Sequence, residues 1–258
     1  VHVAGLPCEM DEIMAIAKKY DLFVLEDAAH AVCTKYKGKM AGSIGDAGSF
    51  SFYATKNLVT GEGGMVTTNN DELADKLRVY SLHGMSRNAW NRYSAKGSWY
   101  YEVMYPGYKY NMTDIQAALG MTQLAKLDKM QIQRNAIVER YKGAFSKFGE
   151  LELPAKSDYV RHAWHLYIIK LNLDKISVDR AEFIEMLKEE NIGTSVHFIP
   201  VHMHPYYRDT YGYKEGDFPQ AEKTFERIIS LPLYPRMDEK DILDVIEAVT
   251  RILEKVRK

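Results

Sequence analysis

The sequence has few cysteines, little net charge and no long apolar run. Cys8 and Cys33 are the only cysteines among 258 residues, which argues against a disulfide-rich scaffold and makes a reducing cytoplasm the expected compartment. The formal net charge of −1 argues against nucleic acid or an anionic membrane as the main partner. The apolar runs have the length of strands, not of membrane spans. What remains is a globular chain that is long enough for a sizeable core and one or two domains.

The chain begins with VHVAG, a run that has the pattern of a buried strand. No methionine or polar lead-in precedes this run, and proteins seldom begin inside a buried strand. We therefore expect an N-terminal part of the protein to precede this sequence.

The first residues have the spacing of a β-α-β unit. Apolar residues recur at helical spacing from Met10 to Ala17, which predicts an amphipathic helix over about residues 9–20. The apolar run 22–25 then predicts a strand that is buried on both faces. Such units form parallel sheets, and their ligands lie beyond the carboxyl ends of the strands. Asp27 occupies that position.

The rest of the sequence predicts an α/β domain over residues 1–148 and a smaller α+β domain over residues 149–258. A stretch at 149–158 reads as the boundary between them. Further strands are predicted at 48–53, 64–68, 163–171 and 194–199, and further helices at about 71–81 (opened by Asn70 or Asp71), 113–148 (capped by Thr113), 179–190, 217–228 and 238–256.

Lys56 is the strongest candidate for chemistry. A lone lysine is most often a solvated surface charge, but this one follows the strand GSFSFY and precedes a glycine-rich turn. Burial there would lower its pKa and favour Schiff-base formation. A lysine near a strand end, with a carboxylate and hydroxyls nearby, has the groups that hold pyridoxal phosphate (PLP). The coenzyme needs an amine, an anion for its pyridinium nitrogen and donors for its phosphate.

The neighbouring polar residues each have an ordinary structural alternative. Asp27 is either a turn cap or the carboxylate that keeps a pyridine nitrogen protonated. His30 is either a packed histidine or a ring that lies on the coenzyme. Ser49 and Ser51 share one face of a strand. Each of them could hydrogen-bond a phosphate or simply the backbone at the strand end.

Histidines and aromatic residues elsewhere are less specific. His197, His202 and His204 match no standard zinc spacing, so no metal is predicted. A contact from His197 to substrate is the better reading, and His83 is either a cap or a site residue. The aromatic loop 90–110 either stacks on a sugar or base or packs a subunit interface.

An ordered series of motifs resembles the DegT/DnrJ/EryC1/StrS family of sugar aminotransferases. The resemblance runs from within the family's large domain to its C-terminus. Its strings are EDAAHA, GD, SFSFYATKN, GEGGMVTT, SLHG, PGYKYNMTDIQAALG, HAWHLYIIK, GTSVHFIPVH and SLPLYP. Within the family, His30, GYKYN and HAWHLYIIK are most similar to the branch that makes UDP-4-amino-4-deoxy-L-arabinose.

The resemblance implies a fold-type I PLP-dependent transferase, with a mostly parallel sheet flanked by helices. It implies Lys56 as the Schiff-base lysine and proton shuttle, Asp27 as the partner of the pyridinium nitrogen, His30 as a stacking ring and Ser51 as a phosphate ligand. In the family string GYNxR, a neighbouring subunit offers its asparagine to the phosphate. Lys109 stands at that position here, and Asn111 stands where the family has arginine.

The resemblance also implies the reaction. An amino group passes from glutamate to a nucleotide-linked keto-sugar, expected to be a UDP-4-keto-sugar, for cell-surface polysaccharide or lipid A modification. His83, Tyr108 and His197 are the expected substrate contacts, and a homodimer with shared active sites is the expected assembly. A sister branch of sugar dehydratases has histidine at the lysine position, so Lys56 argues against that chemistry. A non-catalytic regulator or fragment that keeps the fold is the other alternative.

Overall fold

The structure is a computed structural model that describes residues 1–86, 101–155 and 157–258. Packing divides the chain into two compact units. Unit 1 comprises Val1–Leu127 and Tyr159–Ala163, and unit 2 comprises Asp128–Asp158 and Trp164–Lys258. The domain boundary expected at residues 148–149 stays a prediction. The part of the aromatic loop at 90–100 lies outside the described residues.

The elements alternate between helices and short strands. The helices are α1 (Met10–Tyr20), α2 (Asp71–Ser81), α3 (Asp114–Phe145), α4 (Arg180–Glu189), α5 (Pro205–Tyr211), α6 (Pro219–Phe225) and α7 (Glu239–Val256). The strands are β1 (Leu25–Asp27), β2 (Lys35–Tyr36), β3 (Lys39–Met40), β4 (Ala47–Ser51), β5 (Gly64–Thr68), β6 (Leu151–Glu152), β7 (Val160–Arg161), β8 (Tyr167–Leu171) and β9 (Ile228–Leu231). Each helix in the described ranges is too short or too polar to cross a lipid bilayer.

The main sheet of unit 1 is small and mixed, with the strand order β1-β4-β5. β1 runs parallel to β4, but β5 returns antiparallel to it, from Ala47 opposite Thr68 to Ser51 opposite Gly64. The predicted mostly parallel sheet is therefore wrong for the described residues. The reason lies in the connection between β4 and β5. It folds back on itself, with the Phe52 amide donating to the Gly63 carbonyl at 2.8 Å, and it makes no helical crossover of the kind that parallel strands need.

The start of the chain forms a tight turn where a strand was expected. Residues Val3–Gly5 make a short 3-10 helix, in which Ala4 has φ 59° and Gly5 has φ 93°. These left-handed values end the extended conformation of VHVAG. The His2 amide still donates to the Asp27 carbonyl at 3.0 Å, so the turn is fixed to the end of β1.

Two predicted helices that begin in unit 1 are confirmed together with their caps. α2 begins after Asn70, whose side chain accepts a hydrogen bond from the Leu73 amide at 3.0 Å. α3 begins after Thr113, which exchanges hydrogen bonds with Gln116 in the manner of a capping box. In both cases a polar side chain satisfies amides that the first helical turn leaves without partners.

Unit 2 has an antiparallel sheet with the order β6-β8-β9 and a well-filled core. The core includes side chains from α4 and α7, such as Phe183 and Leu253, packed with Tyr167 of β8. Predicted helices 179–190 and 238–256 are confirmed by α4 and α7. Both begin with an aspartate capping box, at Asp179 and Asp238.

One strand prediction for unit 2 is wrong, and one helix prediction is confirmed only in part. The expected strand at 194–199 is reduced to an isolated bridge between Ser195 and Ser230. The expected helix over 217–228 ends at Phe225, because the apolar run 228–231 leaves it to form β9. All residues of β9 are buried against β8, so tertiary burial decides this segment over local helical preference.

A buried carboxylate fixes β1 in unit 1. The Glu26 side chain, 3% exposed, accepts four hydrogen bonds, from His2 Nε2 at 2.9 Å and from the amides of Gly42, Ile44 and Gly45 at 2.7–2.8 Å. Burial raises the pKa of Glu26, but these hydrogen bonds outweigh burial and bring the pKa to about 2. Glu26 therefore stays charged inside the fold and holds the turn at 42–45.

We expect Glu26→Gln to lower the free energy of unfolding by about 3 kcal/mol at pH 7, because the amide turns an NH₂ group towards donors that need an acceptor. Urea unfolding measures this loss. The wild-type protein should also lose stability as the pH falls from 4.5 towards 2, since the unfolded state then binds a proton at this residue that the folded state resists. This part of the pH dependence should disappear in the variant.

Glu72→Gln is the matched control. Glu72 lies on the exposed side of α2 and pairs with Lys76 at 2.7 Å, so its unfolding midpoint should hardly move. Equal losses in the two variants would contradict the role given to Glu26.

Candidate active site

Strand register places three polar side chains on one face of the sheet in unit 1. Asp27 ends β1 and lies directly opposite Ser49 of the parallel strand β4. Ser51 follows two residues later on β4 and therefore points to the same side. Asp27 Oδ1 accepts a hydrogen bond from the Ala29 amide at 3.0 Å. The predicted carboxylate and hydroxyls thus meet at the carboxyl end of two parallel strands.

Lys56 follows β4 in a turn that its own amide closes, by donating to the Tyr53 carbonyl at 2.9 Å. Its side chain is half-buried. Burial lowers the pKa of the Lys56 ammonium, and the negative charge of Asp27 opposes that effect. The structure therefore brings Lys56 within electrostatic range of Asp27 and gives it the environment that the sequence predicted.

The loop that carries Lys56 is closed at its base. The Thr60 amide donates to the Phe52 carbonyl at 2.9 Å, and the Thr60 hydroxyl donates to the Glu62 carbonyl at 2.7 Å. Gly63 has φ 155°, and a side chain there would collide with the Thr60 hydroxyl. Glycine at this position permits the closed loop.

His30 is half-buried in the segment that follows β1. Its Nδ1 accepts a hydrogen bond from the Ala4 amide at 3.3 Å. The amide hydrogen requires a lone pair on Nδ1, so any proton on the neutral ring sits on Nε2. The backbone turn at Ala4 therefore orients the ring that the sequence proposed as a stacking group.

A second group of candidates gathers where segments 80–83 and 108–110 run side by side. The Tyr108 amide donates to the Tyr80 carbonyl, and the His83 amide donates to the Tyr108 carbonyl, both at 2.7 Å. Lys109 bridges to Leu82, and its side chain is exposed. His83, Tyr108 and Lys109 are therefore neighbours along one backbone ladder.

A groove of about 1150 Å³ in unit 1 connects part of this group with β4. Its walls include Ser49, Gly64, Tyr80, Tyr108 and Asn111. Within the described part of the chain, the buried Asn111 Oδ1 has no hydrogen-bond partner. Asn111 thus lines the groove, with its side-chain oxygen buried, at the position where the family string has an arginine.

His197 lies in unit 2. Its Nδ1 is hydrogen-bonded to the Ser230 hydroxyl at 2.8 Å, and its ring meets the Phe198 ring edge-on at 4.7 Å. Its predicted contact with substrate stays a prediction. His202 is engaged separately by Glu222 at 2.8 Å.

Two residues that shape this region were not predicted from the sequence. Glu26 and Asn57 appear in the sequence analysis only within the motif strings EDAAHA and SFSFYATKN. A glutamate inside an apolar run, followed by Gly42 and Gly45, does signal a buried carboxylate bound by backbone amides. Asn57 gives no comparable local signal, because its partner is Ala163.

Comparison with known proteins is consistent with these local features. The DegT/DnrJ/EryC1/StrS aminotransferase family matches residues 1–250. The spore coat polysaccharide biosynthesis protein SpsC of Bacillus subtilis is 61% identical over 255 residues, which cover 98% of this chain and 66% of that protein. The uncharacterized protein MJ1066 of Methanocaldococcus jannaschii is 57% identical over 257 residues, which cover 100% of this chain and 67% of that protein. The chain thus spans about two thirds of the length of these curated relatives.

A solved structure shows the same fold. The putative sugar aminotransferase Spr1654 from Streptococcus pneumoniae, in its PMP form, superposes with a TM-score of 0.90 at 32% identity, covering 98% of this chain and 68% of that one. The PLP form of the same protein gives a TM-score of 0.88 at 32% identity, with 100% and 68% coverage. The architecture is therefore the fold-type I aminotransferase α/β fold. On the extent of the family match and on these relatives, the chain belongs to the DegT/DnrJ/EryC1/StrS aminotransferase family.

Proposed function

We propose that the protein is a PLP-dependent aminotransferase that passes an amino group from glutamate to a nucleotide-linked keto-sugar. The observation that carries the proposal is the placement of Lys56, half-buried and within range of Asp27, beyond the carboxyl ends of β1 and β4. This is the edge of an α/β sheet at which ligands bind. Family membership supports the reaction class.

The residues present in unit 1 fit the coenzyme. Lys56 supplies an amine whose pKa is lowered by burial, and Asp27 supplies a carboxylate. Ser49 and Ser51 supply hydroxyls on the same face of β4. When bound, PLP supplies an aldehyde for amine exchange and a ring that accepts electrons from the reacting carbon.

Lys56 holds the coenzyme and moves the proton in this proposal. A lowered pKa increases the neutral fraction of Nζ, and only the neutral amine is a nucleophile. The same nitrogen then takes up the proton that the donor's α-carbon gives up. The donor leaves as a 2-oxo acid, and the keto-sugar exchanges its carbonyl oxygen for the amino group.

The other candidates orient the coenzyme. Asp27 would hold the proton on the pyridine nitrogen, since a nearby anion favours the charged form. His30, whose imidazole is oriented through Nδ1, would serve as the group that stacks on the coenzyme. Ser51 would bind the phosphate. Lys109 and Asn111 would serve the phosphate of a neighbouring subunit, which makes the proposed assembly a homodimer with shared sites. His83 and Tyr108, which are neighbours in unit 1, would contact the sugar nucleotide.

The sugar class rests on the relatives. SpsC is named for spore coat polysaccharide biosynthesis, and Spr1654 is named as a putative sugar aminotransferase. We propose a UDP-4-keto-sugar as the acceptor, in the cytoplasm and for a cell-surface polysaccharide or lipid A. The choice of UDP and of carbon 4 rests on His30, GYKYN and HAWHLYIIK.

We expect PLP, followed by borohydride reduction, to label Lys56 covalently. Peptide mapping by mass spectrometry identifies the labelled residue. Lys56→Arg should abolish the label, because a guanidinium stays protonated. Lys39→Arg, which changes an exposed lysine of β3 in the same unit, should keep the label. A label that survives in Lys56→Arg would remove Lys56 from its proposed role.

We expect Asp27→Asn to leave coenzyme labelling of Lys56 intact and to slow the half-reaction with glutamate by about 100-fold or more, because the ring nitrogen loses its anionic partner. Stopped-flow absorbance measures this rate. The pKa of Lys56 should also fall, since the Asp27 charge raises it in the wild type.

Asp21→Asn is the control for Asp27. Asp21 is exposed and has a left-handed backbone that asparagine also tolerates, with φ 52°. Its half-reaction rate should match the wild type. A normal rate in Asp27→Asn would place Asp27 outside the site.

A further inference from the structure

We propose that Asn57 is a positioning residue that holds Lys56 in place through the backbone of Ala163. The inference rests on the proposed function of Lys56 and deepens it. It makes the reactive lysine depend on a side chain that itself touches neither coenzyme nor substrate.

The contact is short and buried. Asn57 is 8% exposed, and its Nδ2 donates to the Ala163 carbonyl at 2.8 Å. The two residues lie 106 positions apart in the sequence. Because Asn57 is bonded through the peptide unit to Lys56, fixing its side chain restricts the backbone from which the lysine side chain extends.

The loop needs such an anchor. Residues 53–55 are exposed, Lys56 is half-buried, and Asn57 and Leu58 are buried. The chain therefore passes from solvent to interior at Lys56. The side chains just after the lysine secure this side of the loop, and Asn57 supplies the directional bond.

The acceptor is itself held firmly. Ala163 is 0% exposed, and its amide donates to the Gly5 carbonyl at 2.9 Å. The same carbonyl also accepts a hydrogen bond from the Thr34 hydroxyl at 2.7 Å. A displacement of Ala163 would break the hydrogen bond from its amide to the Gly5 carbonyl. This break would leave a polar group unsatisfied inside the protein, which is costly.

The turn at residues 2–5, which we call the amino-terminal turn, joins this chain of contacts to the other coenzyme candidates. The His2 amide donates to the Asp27 carbonyl at 3.0 Å, and the Ala4 amide donates to His30 Nδ1 at 3.3 Å. Through Gly5, Ala163 and Asn57, the same turn reaches Lys56. The geometry of the three groups relative to one another is therefore set by one small scaffold, and Asn57 is its link to the lysine.

Asn57→Leu tests the proposal, because it keeps a side chain of similar shape but removes the donor. Amide hydrogen exchange is measured on the protein without added coenzyme. The pKa of Lys56 is measured by ¹³C NMR after reductive methylation, with the resonance assigned by Lys56→Arg. We expect about tenfold faster exchange at the Lys56 amide and a pKa that moves up towards its ordinary value, as the loosened turn hydrates the amine. Labelling of Lys56 by PLP and borohydride should slow by a similar factor.

Asn69→Leu is the control, since it makes the same substitution at an exposed position of unit 1. It should change neither the amide hydrogen exchange nor the pKa nor the labelling of Lys56. Unchanged exchange and pKa in Asn57→Leu would overturn the proposal. So would faster exchange throughout unit 1 with an unmoved Lys56 pKa, which is the mark of a purely structural residue. If Asn57→Leu does not fold, Asn57→Ser, whose hydroxyl is too short to reach Ala163, is judged by the same outcomes.

Amide hydrogen exchange and the Lys56 pKa also allow this inference to fail separately from the proposed function. Exchange and the Lys56 pKa are measured without coenzyme, so they report on Asn57 alone. If the wild-type protein takes no label at Lys56, the proposed function fails, whatever the Asn57 variants show.

Discussion

The part of unit 1 that carries the candidate site depends on the hydrogen bonds of one buried carboxylate, that of Glu26. Its four hydrogen bonds tie β1 to His2 on one side and to the turn at 42–45 on the other. Side chains alternate along a strand, so a Glu26 that points into the interior forces Asp27 to point out on the opposite face. One acidic residue thus holds the strand, and its neighbour is free to meet a ligand.

The same division between structural support and the proposed chemistry recurs around Lys56. A reactive lysine must be shielded from water so that its pKa falls, yet it must remain accessible to a coenzyme. The loop meets both demands by changing from exposed to buried across a few residues. The Thr60 and Gly63 contacts close the loop at its base, and Asn57 fixes the residue next to the lysine.

Local sequence signals predicted the features that depend on contacts between residues close together in the sequence, such as helix caps. α2 and α3 begin at the predicted caps, because Asn70 and Thr113 satisfy amides within their own first turn. Asp27 was predicted at a strand end and does end β1. The apolar run 22–25 was wrongly expected to be buried on both faces, since Leu22, Phe23 and Leu25 are exposed. The assignment of the whole chain to its family depended on the order of many motifs, none of which is specific alone.

The errors and omissions arise where a distant contact decides the structure. β5 runs antiparallel because the loop after β4 folds back, which the apolar pattern of either strand does not encode. Residues 228–231 form a strand because they are buried against β8. Asn57 could not be singled out, since its partner lies 106 residues away.

The amino-terminal turn makes the proposed site depend on distant contacts as well. Asp27, His30 and Lys56 lie within 30 positions of one another in the sequence, but no local pattern sets the distances between them. Their common reference is a turn in which Ala4 has a left-handed φ of 59°, a conformation that costs about 1 kcal/mol for a residue with a Cβ. The Ala4 amide donates to His30 and the Gly5 carbonyl accepts from Ala163, and these hydrogen bonds offset the cost. A strand in the same place would direct its peptide groups only to neighbouring strands, so the loss of regular structure at VHVAG is what allows one short segment to organise three groups.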